Sequence, residues 1–305
     1  MECNKALLDS VNKSLHNNMG KAIIALLVVM LCSSLAAPVA LSVALMGGTS
    51  FFPIIVLVLC VTCVCLLVFG FGFLVAQLYR RRQAVLGHVF SAFRDFKRMG
   101  LAALVFALGI TIISMVVVLV GMTLFTPDIK LEQTATLDQI IGPLLQIMPV
   151  LSAICMVVFI FALVLPNIFV WLVLYDNPTC TVRQAFKKSF DMPKGKRSRL
   201  VSFLLRCGGW WFAAACAAFV ISTAFLFFVV PNVAALGTTM ASFLSFVANI
   251  CDIVYFFGFY TAFIRMTTGV VAFYDELLHP DKDLNEPPQS IEAPVIELPA
   301  PDVEN

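Results

Sequence analysis

The sequence predicts an all-α integral membrane fold of six transmembrane helices with short amphipathic interfacial helices between them, both termini lying in the cytoplasm. Three observations carry this. Of 305 residues, 61% are hydrophobic and only 12% charged, at a mean hydropathy of +0.97, more apolar surface than one soluble core of this length can hide. Six apolar runs are each long enough to cross a bilayer, which takes about 20 residues. The cations also cluster on alternate connections, the bias that sets membrane topology.

In chain order the runs lie near 21–46, 51–79, 100–125, 143–175, 200–230 and 239–265. A cytoplasmic amphipathic segment, 1–20, precedes the first. Lys21 ahead of an apolar stretch ending near Ala36-Ala37 imitates a signal peptide. However, Pro38 follows and the run continues through Met46, longer than a signal core, so it reads as a retained span. Gly47-Gly48-Thr49-Ser50 and Pro53 break the first hairpin, and Pro231-Asn232 with Gly237 break the last. The fourth run is long enough to tilt or to kink at Pro166.

Lys5, Lys13 and Lys21 precede the first span. Arg80, Arg81, Arg82, Arg94, Lys97 and Arg98 follow the second, and Arg183, Lys187, Lys188, Lys194, Lys196, Arg197 and Arg199 follow the fourth. The opposite loops contain only Lys130, so the positive-inside rule assigns both termini and both basic loops to the cytoplasm. In a bacterium the location would be the inner membrane. The outer loop from Thr126 to Gly142 carries Asp128, Glu132 and Asp138 and no chemical motif. The spans form one membrane domain, 21–275. The segment 276–305 holds eight acidic residues against Lys282 and is punctuated by prolines; it reads as a disordered acidic cytoplasmic tail, open to a protein partner.

An internal repeat shows at the basic loops. Val89-Phe-Ser-Ala92-Phe93-Arg94 aligns with Val182-Arg-Gln-Ala185-Phe186-Lys187, and Ala6 to Lys13 offers a weaker third copy. Apolar residues recur at helical spacing in each, as in an interfacial helix feeding a pair of spans. Three such units would account for six spans. Repeats of this kind occur in transporters, and equally in purely structural bundles.

The sharpest polar signal is in the sixth span, where Ser242, Ser245, Asn249, Asp252 and Tyr255 are spaced to share one helix face, expected to point into the bundle. Asp252 is the one carboxylate deep in an apolar run, and a charge at the bilayer centre costs about 2.5–3.5 kcal/mol on insertion scales. It is either a cation- or proton-responsive site on a transport path or a hydrogen-bonded group that fixes packing. Arg265, nearer the end of that span, reads as a snorkelling side chain. Arg94, Lys97, Arg98, Lys187 and Lys188 are candidate contacts for anionic lipid, each worth about 1 kcal/mol near a charged surface, although setting topology would also explain them.

No chemistry beyond this is marked. Of the 10 cysteines, most lie in apolar runs as packing residues, without a disulfide framework. Cys60-x-x-Cys63-x-Cys65 puts Cys65 off the face of the other two, and His16, His88 and His279 lie outside the runs, so no metal site is expected. Phosphate loops, nucleophile elbows, zinc-protease motifs and paired intramembrane acids are all lacking. The sequence therefore points to no enzyme, no cofactor and no nucleic-acid partner.

Tyr175-Asp-Asn-Pro178, Ala185-Phe186-Lys187-Lys188-Ser189-Phe190, Gly208-Gly209-Trp210-Trp211, Val230-Pro231 and Ala272-Phe273-Tyr274-Asp275-Glu276-Leu277 give the C-terminal half a family likeness. It resembles a group of uncharacterised bacterial six-span membrane proteins that includes the YciC-like proteins and the membrane domain of some glycerophosphodiester phosphodiesterases. The resemblance implies a bacterial inner-membrane protein; the phosphodiesterase catalytic domain is absent, so hydrolysis is not implied. The leading expectation is a non-enzymatic protein of envelope or lipid homeostasis, or a scaffold. The alternatives are a small-solute or ion transporter using the face around Asp252, and an accessory subunit of a membrane complex.

Overall fold

A computed structural model describes residues 2–46, 52–80, 84–125 and 167–279. They form seven α-helices: α1 (Glu2–Met46), α2 (Phe52–Tyr79), α3 (Ser91–Arg94), α4 (Phe96–Phe125), α5 (Val170–Asp176), α6 (Val182–Asp191) and α7 (Arg197–Leu278). A 3-10 segment, Leu86–Phe90, leads into α3. Among the described residues there is no strand. Five stretches of the described residues are long and apolar enough to cross a membrane: Asn18–Leu35, Ile54–Tyr79, Phe96–Val116, Arg197–Ser222 and Asn249–Leu278. This is the composition of a membrane protein. Of the run expected near 143–175 only 167–175 is described, most of it in α5, while Pro166, the outer loop and nearly all of the tail lie outside the described residues.

The amphipathic segment 1–20 is continuous with the first span as one helix of 45 residues. Its buried Leu7, Val11 and Leu15 recur every fourth residue, so one stripe of this extension packs on the bundle while Lys5, Asp9 and Lys13 face outward. α7 extends over 82 residues, yet its two ends lie side by side. Ser222 Oγ donates to Asp252 Oδ1 (2.7 Å), the rings of Trp211 and Phe257 meet edge to face, and Arg265 Nε donates to the Cys207 carbonyl (2.7 Å). The chain therefore reverses between Ser222 and Asn249, the stretch that contains Pro231 and Gly237.

Small residues let these two halves approach, as is usual where lipid supplies no hydrophobic drive between helices. Gly208 faces the Ala262 backbone, Gly258 faces Ala215 and the Trp211 carbonyl, and Gly269 faces Cys207 Sγ.

The end of α2 is the centre of the molecule. From Phe69 to Ala76 every residue is buried, enclosed by α1, α4, α5, α7 and the 3-10 segment. Phe71 stacks on Phe263 (5.6 Å between centroids) and Phe73 on Tyr175 (4.5 Å). Phe169, Phe203 and Phe273 continue this aromatic core. Two glycines permit the enclosure. A Cβ at Gly70 would collide with the Val89 carbonyl, where the 3-10 segment crosses α2, and one at Gly72 would meet the Trp171 ring at 2.8 Å.

The segments carrying the aligned motifs are folded differently. Val89 and Ala92 are buried in the 3-10 segment and the single turn of α3. Val182–Asp191 is a capped helix, in which Gln184 N donates to Thr181 Oγ1 (3.4 Å) and Thr181 N donates to Gln184 Oε1 (3.0 Å). Ser189 Oγ pins it to α5 by accepting from Phe169 N (3.2 Å).

Gly70→Ala is expected to lower the midpoint of thermal unfolding in detergent, because overpacking a tight crossing costs about 1–3 kcal/mol. Gly20→Ala, where nothing lies within 4 Å of the added methyl, should leave the midpoint unchanged or raised.

Candidate functional site: the polar end of the bundle

Polar side chains gather at one end of the bundle, where α1, α4 and α7 begin and α2, α5 and α7 finish. Arg80, one residue past α2, is its hub. Its guanidinium donates to both oxygens of Asp176 at the end of α5, from Nη1 (2.8 Å) and Nη2 (2.9 Å). It donates to both oxygens of Asp275 near the end of α7 as well, from Nη2 (2.7 Å) and Nε (3.1 Å). The Arg80 side chain is 14% exposed. Burial lowers its pKa, but the hydrogen bonds and fields of Asp176 and Asp275 outweigh that and hold it above the ordinary guanidinium value. Only arginine offers five donors in a planar fork able to engage two carboxylates together.

Three further arginines join elements around this hub. Arg199, at the start of α7, donates to Glu276 Oε1 (2.7 Å) and to Asn4 Oδ1 of α1 (2.9 Å), and its guanidinium lies over the Phe273 ring. Arg265 donates to Asn12 Oδ1 of α1 (2.6 Å) as well as to the Cys207 carbonyl. Arg98 of α4 donates to the Leu174 carbonyl of α5 (2.8 Å) and pairs with Asp95 (3.2 Å). Ser10 and Tyr79 hydroxyls meet at 3.2 Å, and Gln77 donates to the Tyr175 hydroxyl.

The candidate lipid contacts divide. Arg98 is committed to α5 and Asp95, whereas Arg94, Lys97, Lys187 and Lys188 are exposed and form no ion pair with a described residue. On the same surface Arg197 and Lys194 lie over the Phe190 ring. Lys194 also bonds Asp191 (2.6 Å), holding that carboxyl below its ordinary range.

The polar face of the last span is spread out. Asp252 is half-buried against Ser222, and Tyr255 is half-buried among Phe219, Phe256 and Phe259. Asn249 and Ser242 are exposed, and the Ser245 side chain lies outside what the structure describes. Arg265 is tied to α1 and to the other half of α7. Cys60 and Cys65 are half-buried and Cys63 exposed.

With this geometry in view, the chain can be placed. The model of the family described as protein of unknown function (DUF975) matches residues 1–277. The chain belongs to that family. No curated protein and no solved structure matches it. The match covers every element of the polar end, from Asn4 to Glu276. The hub itself escaped the sequence reading, in which Arg80 was one more topological cation. The available signal was a recurrent pair: Asp176 and Asp275 each follow a tyrosine at the end of an apolar run.

Arg80→Met should destabilise the protein strongly, since removing one member of a largely buried pair costs about 3–5 kcal/mol when charge is stranded. Differential scanning fluorimetry should find the Asp176→Asn, Asp275→Asn, Arg80→Met triple variant more stable than Arg80→Met alone.

Proposed function

We propose that this DUF975 protein is a non-enzymatic membrane protein, acting in envelope or lipid homeostasis or as a scaffold, whose basic surface engages anionic phospholipid. The observation that carries the reading is the division of its cations. Four arginines are spent on joining helices, while Arg94, Lys97, Lys187 and Lys188 remain exposed on the two segments that follow the second and fourth runs. Cations so placed attract anionic headgroups at about 1 kcal/mol each. The asymmetry of charge supports a topology with this end, and both termini, in the cytoplasm. The motifs between Tyr175 and Leu277 support a bacterial inner-membrane setting of the YciC-like kind.

Native mass spectrometry from mild detergent tests the lipid contact. The wild type should retain phosphatidylglycerol in preference to phosphatidylcholine. A variant with Arg94, Lys97, Lys187 and Lys188 all changed to Gln should lose that preference and keep its thermal stability. Equal retention by the two proteins would refute the proposal.

The hydrogen bond between Ser222 and Asp252 favours a second reading, in which a paired acid in a span serves solute or ion transport. Asp252→Asn keeps an acceptor for Ser222, so the fold should survive. Under the transport reading flux into vesicles would be abolished, and under a packing role nothing would change.

A further inference from the structure

The hub stands well above the level at which the basic segments pack, and the contacts fix that level helix by helix. Ser10 beside Tyr79 and Ser14 beside Leu78 set α1 antiparallel to α2, which puts Lys21 opposite Gly70. The Val89 carbonyl crosses Gly70 itself. Phe69 packs on Phe106 of α4 (5.7 Å), whose ring also meets Phe186 of α6 (5.6 Å). Phe71 stacks on Phe263, two residues before Arg265, and Arg265 faces Cys207. The 3-10 segment and α6 both therefore dip back from the hub, since Arg80, just past the end of α2, is about 15 Å beyond Gly70 at 1.5 Å per residue.

Helix length says which level meets the lipid. From Phe52 to Gly70, α2 extends about 27 Å, close to a hydrocarbon core of about 30 Å, whereas the full helix to Tyr79 extends about 42 Å. In the same way α4 has about 29 Å beyond Phe106 and about 45 Å in all. Burial agrees. From Phe69 to Ala76 every residue of α2 is buried, while further down Ile54, Ile55, Leu57 and Leu59 are exposed. Lys21 and Arg206 are exposed near the Gly70 level, and so is Trp210, at 82%, as in the aromatic belt of a membrane interface.

We infer that the membrane surface on the basic side lies at the level of Gly70. The aromatic core and the Arg80 hub then form a membrane-proximal layer whose underside rests on phospholipid headgroups. The contact is made by Leu86, Phe90 and Phe190, exposed by 44%, 48% and 44%, with Arg94, Lys187 and Lys188 beside them to meet phosphates. This rests on the lipid-binding reading for the choice of headgroup, and on helix geometry alone for the level.

A photoactivatable diazirine amino acid, placed singly at Phe90, Phe190, Ile112 or Lys13 of the full chain in mixed phosphatidylcholine and phosphatidylglycerol vesicles, tests the inference, with lipid adducts read by mass spectrometry. Ile112, exposed on α4 below the level, should label, and so should Phe90 and Phe190. Lys13, exposed beside the hub, should stay near background. Labelling at Ile112 without Phe90 and Phe190, or at Lys13 as strongly as at Phe90, would overturn the boundary. Phe90 adducts formed equally with the two lipids would instead uphold the boundary and count against the anionic preference.

Discussion

Arg80 holds two carboxylates from different elements in one planar fork, and the arrangement of the polar end depends on it. Fixing Asp176 fixes the end of α5, and with it Tyr175 against Phe73 and the Leu174 carbonyl that Arg98 reaches. Fixing Asp275 seats Phe273 and Tyr274 in the aromatic core and brings Glu276 to Arg199. The N-terminal turns of α1 are then held from two sides by Arg199 and Arg265. A network of this kind is costly to break and specific in geometry, because each carboxylate left without its guanidinium would keep a largely buried charge.

The enclosure of α2 is the apolar counterpart of that network. A helix hydrophobic on all sides must be surrounded, by lipid or by protein. Here the two regimes follow one another along a single helix: exposed apolar residues in its first half, and complete burial from Phe69 to Ala76. Gly70 and Gly72 sit at the change, because only a residue without a side chain admits the backbone of the 3-10 segment and the ring of Trp171 so close to the axis. The position of Gly70 thereby fixes where along α2 the 3-10 segment packs.

Much of this was legible in the chain. Five of the apolar runs coincide with the stretches long and apolar enough to cross a membrane, since twenty residues without charge have few other solutions in water or lipid. The helical spacing of apolar residues in Ala6 to Lys13 matched a packed stripe, in which Leu7 and Val11 are buried. The continuity of segment 1–20 with the first span was not legible, because polar residues at Asn12, Asn17 and Asn18 lower helix propensity without forbidding a helix that tertiary contacts hold.

The candidate site was the harder part. Asp252 drew attention because an acid within an apolar run is locally anomalous, and its partner Ser222, thirty residues away, could be found only once the chain had folded back. Arg80 drew none, because an arginine at the end of a span is expected. Composition and charge bias determined that the chain is helical and membrane-type, since they depend on the solvent each segment must face. Tertiary structure alone decided which cations are bound within the protein and which are left exposed, because that depends on carboxylates 96 and 195 residues away meeting one guanidinium in space.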